Sequence, residues 1–308
     1  MNSGYISKLQ SNVIKGLFIL IVFFSHFQQY VAEAGGRVFN PHLGQLMVVM
    51  FLFYSGFGVM EQIAAKGHAY VQTMPNRRML ATLLNFDVAV MIFIGVDLLI
   101  GRPIELRQAI LSFVCWESVG NSNWYVFTII LCYGVTWGCF KFLGGRAWAV
   151  CVSLVFVVLA LSAVRPSWWY DTMLCFPAGL LYSIYKKRIE CLVKKHYWLM
   201  LVMVFVLFLA FRHCGCSARG LTHNAQSVCF CLFIVFVLMK LPVKSSFLGW
   251  CGVRLFPIYI YQRLPMIALF QFDKQGFATW RAWCLYLPIC LVVTLLTARW
   301  YNKWQIKL

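Results

Sequence analysis

The sequence predicts an all-α transmembrane bundle of about ten spans, and composition, apolar segments and the distribution of charge each indicate it. The chain of 308 residues is 62% hydrophobic and 12% charged, with a mean hydropathy of +0.76. A soluble domain carries about a quarter charged residues. Residues 1–308 are therefore expected to form a single polytopic membrane domain with no appended soluble domain.

The predicted spans are apolar runs, judged against the roughly 20 mostly apolar residues that a spanning helix needs. Segment 104–123 ends in Gly-Asn-Ser-Asn and is expected to be a loop or a re-entrant element instead. The predicted spans are Lys15–Tyr30, Gln45–Gln62, Leu80–Ile100, Trp124–Phe140, Ala147–Val164, Thr172–Tyr185, Tyr197–Phe211, Ala225–Met239, Ser246–Phe270 and Ala282–Ala298.

The charge of the chain is strongly positive, with 27 Lys and Arg against 9 Asp and Glu and a formal net charge of +18. In a soluble protein this balance would indicate nucleic-acid binding. When the predicted spans alternate in direction, most of the cations fall on the side of the N-terminus, which the positive-inside rule places in the cytoplasm. We therefore expect both termini in the cytoplasm, membrane lipids as the surroundings and no nucleic-acid partner.

The first span has a competing interpretation as a signal peptide, because Lys8 and Lys15 precede the apolar run and Ala32-Glu33-Ala34 resembles a cleavage site. Polar residues, among them Ser25 and His26, separate the apolar run from that site. This interruption favours a span, and the intact mass of the purified protein decides between the two.

Thirteen cysteines are scattered mostly through the apolar segments without any C-x-x-C spacing, so no metal site is expected. Cys214 and Cys216 fall in a predicted outer loop. Their sequence context is compatible with either an oxidised or a reduced pair.

His26 is the main candidate functional residue, because ionisable side chains inside a membrane span are expensive to bury and usually functional. Lys15 lies eleven residues earlier in the same span, which at helical rise is about 16 Å along the axis. Lys15 is therefore expected at one membrane face and His26 inside. The structural alternative for His26 is a core histidine that hydrogen-bonds between helices.

Taken together, several segments resemble the acyltransferase-3 family of membrane acyltransferases. The resemblance covers nearly the whole chain. It departs from the family pattern at Lys15, where the family usually has arginine, and at Gln262, where a histidine is often found. The segments are Lys15-x10-His26, FLFYSGF at 51–57, Arg77-Arg78, NWYVFTIILCY at 123–133, FPAGLLYSIYKKRIE at 176–190 and FPIYIYQRLPMI at 256–267.

The resemblance implies a bacterial inner-membrane enzyme that moves an acyl group, usually acetyl, from cytoplasmic acyl-CoA to a hydroxyl of a surface glycan or glycolipid. A histidine is suited to deprotonate that hydroxyl near neutral pH. The implied catalytic base is His26, and the implied donor-binding residues are Lys15, Arg77 and Arg78. Glu117 is a second candidate catalytic residue, because with Asn123 and Trp124 it lies where the outer irregular segment meets the fourth span, a location suited to orienting His26 or contacting the acceptor. The candidate substrate-binding residues are Asn123, Trp124, Gln262 and Arg263.

Structural alternatives stay open for several of these residues. Lys15, Arg77 and Arg78 fit ordinary topogenic charge equally well. Arg263 and the nearby Arg254 are costly to leave unpaired in a span, and pairing with Asp87, Asp97 or Glu117 is the alternative to a site role.

Ser55 beside Gly56 is expected to be a small residue at a helix contact, because no G-x-S-x-G turn marks it as a nucleophile. Direct transfer is therefore expected, without an acyl-enzyme. The alternative function from another class is a transporter or flippase of a lipid-linked saccharide, which would use the same buried ionisable residues without making a bond. The sequence predicts no particular oligomeric state.

Overall fold

The structure is a computed structural model that describes residues 6–39, 43–214 and 220–308. Helix accounts for 82% of the described residues, and no β-strand occurs within these three ranges. The prediction of an all-α fold is confirmed.

Fourteen α-helices occur in the described ranges, joined by short turns and by brief π-helical and 3-10 segments. The helices are α1 Lys8–Glu33, α2 Leu43–Lys66, α3 His68–Met74, α4 Ala81–Leu99, α5 Leu106–Ser112, α6 Asn123–Phe142, α7 Ala147–Val164, α8 Cys175–Lys195, α9 Tyr197–His213, α10 Leu221–Lys240, α11 Ser246–Val253, α12 Leu255–Tyr261, α13 Arg263–Phe272 and α14 Leu287–Trp300.

Seven helical segments in the described ranges are long and apolar enough to cross a membrane, as in an integral multi-pass membrane protein. They correspond to the predicted spans one to five, eight and ten. The segments are Lys8–Glu33, Leu43–Lys66, His68–Leu99, Asn123–Phe142, Ala147–Val164, Leu221–Lys240 and Ala282–Lys303. Helices α8 and α9 form a further pair, which is bent by 107°.

The basic segment 186–196 lies between the predicted sixth and seventh spans, but in the structure helix α8 continues through it as far as Lys195. Its lysine, leucine, isoleucine and glutamate residues are compatible with helix. The chain bends only at His196, between α8 and α9. Charge alone therefore did not end the helix.

The predicted ninth span, Ser246–Phe270, is divided into α11, α12 and α13 by breaks at Arg254 and Gln262. Pro257 and Pro265 each lie three residues after a break. Proline lacks an N–H and its ring clashes with the carbonyl four residues earlier, which kinks a helix. The two prolines explain both breaks, so this segment is not one straight span.

Arg77 and Arg78 lie within a helix rather than in a loop, because α3, a π-helical segment at Pro75–Leu80 and α4 run on without interruption. Consecutive helical residues point in directions about 100° apart. Arg77 is accordingly exposed, whereas Arg78 is half-buried against the bundle.

Two helix pairs cross with their backbones in direct contact at glycines. A Cβ added to Gly56 on α2 would overlap the Phe176 carbonyl oxygen of α8, and one added to Gly179 on α8 would overlap the Phe53 carbonyl oxygen of α2. Small residues at membrane helix contacts allow this close approach. Gly56 and Gly179 therefore set the spacing of α2 and α8.

Gly16 and Gly252 make the equivalent contact between α1 and α11. A Cβ on Gly16 would overlap the Leu248 carbonyl oxygen, and one on Gly252 would overlap the Asn12 carbonyl oxygen. Helix α1, which carries Lys15 and His26, also packs along α2. It therefore takes part in the crossing with α11 directly and contacts one helix of the crossing between α2 and α8.

Segment 104–122 contains one short helix, α5, followed by turns that lead into α6. Arg165, at the end of α7, holds these turns in place. Its Nη2 atom donates a hydrogen bond of 2.8 Å to the Trp116 carbonyl oxygen, and its guanidinium carbon lies 3.6 Å from the centre of a Trp116 ring. This contact joins the turns before α6 to the end of α7.

Candidate functional site

A cavity of about 400 Å³ lies where α1, the start of α2, the turns before α6 and helices α12 and α13 meet. His26 lines it from α1, and Tyr259 and Arg263 line it from α12 and α13. The start of α2 adds Gln45. The cavity therefore combines residues from distant parts of the chain around the candidate histidine.

Both ring nitrogens of His26 face polar atoms. Its Nε2 atom lies 3.3 Å from the Ser122 hydroxyl oxygen, and its Nδ1 atom lies 3.4 Å from the Gln29 Oε1 atom. An amide oxygen only accepts hydrogen bonds. The Gln29 contact therefore favours the tautomer with the proton on Nδ1, which leaves Nε2 free to accept a proton.

Three of the predicted substrate-binding residues line this cavity together with His26: Asn123, Trp124 and Arg263. The Asn123 Nδ2 atom donates to the carbonyl oxygens of Cys115 and Glu117, at 2.8 and 3.1 Å, and so fixes the turn before α6. Asn123 thus shapes the cavity wall through the backbone of the preceding turn.

Arg263 reaches the first helix through Tyr30. Its Nε atom donates to the Tyr30 hydroxyl over 3.3 Å, and its guanidinium carbon lies 5.5 Å from the Tyr30 ring centre. Within the described residues Arg263 forms no ion pair with a carboxylate, and two of its candidate partners pair elsewhere, Asp97 with Arg102 and Glu117 with Arg165. Arg263 therefore presents its charge at the cavity.

Two predicted site residues lie elsewhere. Glu117 forms an ion pair of 3.8 Å with Arg165, and the side chain that contacts His26 Nδ1 is that of Gln29 and not that of Glu117. Gln262 is fully buried, and its Nε2 atom donates to the Tyr259 carbonyl oxygen over 3.1 Å. Gln262 supports the kink between α12 and α13 and is not among the residues that line the cavity.

A second polar cluster surrounds Lys15, about 16 Å from His26 along α1. The Lys15 ammonium lies 5.7 Å from the Tyr54 ring centre, and Arg78 is near enough to repel it. The Arg78 Nε atom donates to the Tyr70 hydroxyl over 3.1 Å. Two of the three predicted donor-binding cations, Lys15 and Arg78, therefore converge, whereas Arg77 is exposed.

Tyrosine and serine hydroxyls occupy the region between the two polar clusters. Ser55 interacts with both Tyr125 and Tyr133, and Tyr133 also interacts with Arg78. The Tyr125 ring lies 5.0 Å from that of Tyr259, which lines the His26 cavity. Ser55 thus joins a polar layer within the bundle besides neighbouring the Gly56 contact.

A second cavity of about 190 Å³ adjoins the first, since Gln45 lines both. It contains Asp171 from the turn before α8 together with His223 and Gln226 from α10. Burial raises the pKa of the Asp171 carboxyl above its ordinary value, while the nearby His223 acts in the opposite direction. Several hydrogen-bonding side chains therefore line this second cavity.

Four further residues line the cavity that were not predicted as site residues: Ser122, Gln29, Asn121 and Tyr259. Asn121 and Ser122 belong to a Gly-Asn-Ser-Asn stretch that is typical of a turn. Gln29 did carry a signal, because it lies three residues after His26 and therefore on the same helix face. Cys214 is an exposed free thiol, and its predicted neighbour Cys216 lies outside the described residues.

Comparison of the chain with protein families, with curated proteins and with solved structures finds no match.

Proposed function

We propose that the chain is a membrane O-acyltransferase, similar to the acyltransferase-3 family, that moves an acyl group from acyl-CoA to a hydroxyl of a surface glycan or glycolipid. One observation carries the proposal: His26 lines a cavity with its Nε2 atom 3.3 Å from a hydroxyl, on the same helix as the cationic Lys15. Acyl transfer from coenzyme A needs a base at the reacting carbonyl and a cationic group that binds the coenzyme A phosphates at a fixed distance from it. His26 and Lys15 are suited to these two roles.

The chemistry at His26 is proton removal from an attacking hydroxyl. A neutral imidazole accepts that proton near neutral pH, and it must be within hydrogen-bond reach of the hydroxyl. The contact with Ser122 supports this role, since it demonstrates that a hydroxyl fits against Nε2. Arg263, at the same cavity, is suited to stabilise negative charge that develops on the carbonyl oxygen.

The donor would enter from the cytoplasmic side. Lys15 and Arg78 are suited to hold the coenzyme A phosphates, and its long flexible arm would extend about 16 Å toward His26. The layer of Ser55, Tyr125 and Tyr133 hydroxyls supports this route, because it offers hydrogen bonds to the amides of the arm. Acetyl is the acyl group that the family resemblance favours.

The topology belongs to the same proposal. Counting α8, α9 and the kinked α11–α13 segment as three crossings in addition to the seven long helical segments gives the predicted ten spans. Both termini and Arg78 would then face the cytoplasm, and the His26 cavity would open toward the outer face of a bacterial inner membrane. The acceptor would approach from that face, beside the second cavity.

Donor binding yields a matched pair of variants. Hydrogen bonds to charged groups contribute about 1.5–3 kcal/mol, so Arg78→Ala is expected to raise the KM for acetyl-CoA by about 10- to 100-fold. Arg77→Ala, which removes the adjacent but exposed cation, is expected to leave KM within about twofold of wild type. Initial rates against acetyl-CoA concentration in membrane vesicles measure both, and equal effects of the two substitutions would argue against a donor site at Arg78.

Donor-dependent labelling of envelope glycans tests the function itself. Membranes that contain the wild-type protein are incubated with acetyl-CoA carrying a radioactive acetyl group, and ester-linked label in extracted glycans and glycolipids is released by mild base and counted. We expect label that depends on the protein and on acetyl-CoA. Surface glycans from deletion cells, compared by NMR and mass spectrometry, should lack the corresponding ester. Unlabelled and unchanged glycans, with cargo still moved across the membrane, would instead support a saccharide transporter or flippase.

A further inference from the structure

Ser122 occupies the N-cap position of α6 but does not act as a helix cap. A serine at this position usually accepts a hydrogen bond from an N–H of the first helical turn. The Ser122 side chain makes no such bond, and its hydroxyl lies 3.3 Å from the Nε2 atom of His26 instead. The side chain is 97% buried at the cavity wall. The hydroxyl therefore faces the imidazole and the Tyr259 side chain, which also interacts with Ser122, and not its own helix.

The contacts of His26 orient it to act on this hydroxyl. Gln29 accepts from Nδ1 at 3.4 Å, so the Nε2 lone pair points toward Ser122. A nucleophile beside a base, with the base oriented by a third group, is the arrangement that activates serine for covalent catalysis. Serine, histidine and glutamine take these three places here.

Hydrogen-bond donors for a developing oxyanion lie beside Ser122. The Asn121 side chain is 98% buried, lines the cavity and has an Nδ2 atom without a hydrogen-bond partner. A buried donor that is left unpaired is unfavourable, so an oxygen atom at this place gains a hydrogen bond that the protein itself does not satisfy. The first-turn N–H groups of α6, which the Ser122 side chain does not cap, are further donors at the same end of the helix.

Resting on the acyl transfer proposed above, we propose that Ser122 is the nucleophile and carries the acyl group as a serine ester, in place of the direct transfer expected from the sequence. The Ser122 oxygen attacks the thioester carbonyl of acyl-CoA, and its proton moves to His26 Nε2. The tetrahedral intermediate, with its oxyanion at Asn121 Nδ2, then collapses with cleavage of the carbon–sulfur bond. His26 returns the proton to the departing thiolate.

The second half repeats the first with the acceptor. The glycan hydroxyl attacks the serine ester and gives its proton to His26, and the carbon–oxygen bond to Ser122 then breaks. The released Ser122 oxygen takes the proton back from His26. One thioester is converted into one ester, one thiol is released, and no oxidant, reductant or further reactant is needed.

The test is covalent trapping on the full-length protein. Purified protein in detergent is incubated with radiolabelled acetyl-CoA without acceptor, quenched in acid, digested and analysed by mass spectrometry, in parallel with a transfer assay that includes envelope glycans. The variants are Ser122→Ala, Ser122→Cys and, as a control on α7, Ser162→Ala. Size-exclusion profiles establish that each variant is folded.

The expected result is an acetyl group on the peptide that contains Ser122 in the wild type and in Ser162→Ala, released by hydroxylamine and lost on addition of acceptor. Ser122→Ala should form no such adduct and transfer at least about 10³-fold more slowly. Ser122→Cys should trap a thioester at the same position, which a merely structural serine would not do.

Two outcomes overturn the inference in distinguishable ways. If the wild type transfers acetyl to glycan, and either Ser122→Ala transfers at a similar rate or neither the wild type nor Ser122→Cys forms an adduct, acyl transfer stands and the serine ester does not. If the folded wild type neither transfers acetyl nor accepts it from acetyl-CoA, the proposed function fails and the inference fails with it.

Discussion

Replacing His26 with alanine is expected to lower the rate of acetyl transfer by about 10²–10⁴-fold, the usual contribution of a positioned general base. The loss should appear in kcat with little change in the KM for acetyl-CoA, because the donor phosphates are proposed to bind about 16 Å away at Lys15 and Arg78. Initial rates of label transfer to glycan in membranes, normalised to the amount of folded protein, measure it.

His68→Ala is the matched control, since it removes an exposed histidine at the start of α3, outside both cavities. It is expected to transfer at the wild-type rate. A His26→Ala protein that is folded and retains wild-type kcat would show that the histidine is only a structural residue between helices, and the proposed chemistry would lose its base.

A large loss of stability is expected from Gly56→Ala. The added Cβ overlaps the Phe176 carbonyl oxygen, and a backbone atom cannot move aside as a flexible side chain can. Overpacking of a close contact costs about 1–3 kcal/mol, and we expect the upper part of that range. The variant should show a lower midpoint of thermal unfolding in detergent, followed by size-exclusion chromatography of heated samples.

Gly58→Ala is the control on the same helix, because a Cβ at that position has no neighbour within 4 Å. It replaces glycine with a better helix former, so its stability should equal or slightly exceed that of the wild type. Equal losses in both variants would mean that the crossing of α2 and α8 is not set by Gly56. A loss in Gly56→Ala alone confirms the backbone contact.

Helix location was predictable because apolar length is a property of the sequence alone. Seven of the predicted spans correspond to long helices of the structure. The prolines at 257 and 265 also carried the signal for the kinked segment, because proline disrupts the helix at the carbonyl four residues earlier. The bend at His196 had no comparable signal, since the residues before it are compatible with helix.

The cavity was only partly predictable. His26 was recognisable because a titratable residue in an apolar helix is rare, and Arg263 for the same reason. Ser122 and Asn121 were not recognisable from the sequence, because serine and asparagine are common in turns. Whether such residues belong to a site depends on which helix packs against the turn. Glu117 was predicted to be a catalytic residue from its place in the sequence, but in the structure it forms an ion pair with Arg165, which contacts the same turns before α6.

The close crossing of α1 and α11 has a mechanical consequence. Gly16 and Gly252 bring the backbones of α1 and α11 into contact, so the two helices cannot slide along each other without breaking that contact. Helix α1, which carries His26, is therefore held fixed relative to α11. The chain beyond α11 has two joints, at Arg254 and Gln262. Arg263 directly follows the break at Gln262. A rotation of α13 at this break would move the Arg263 guanidinium toward or away from His26 while the contact between α1 and α11 stays intact.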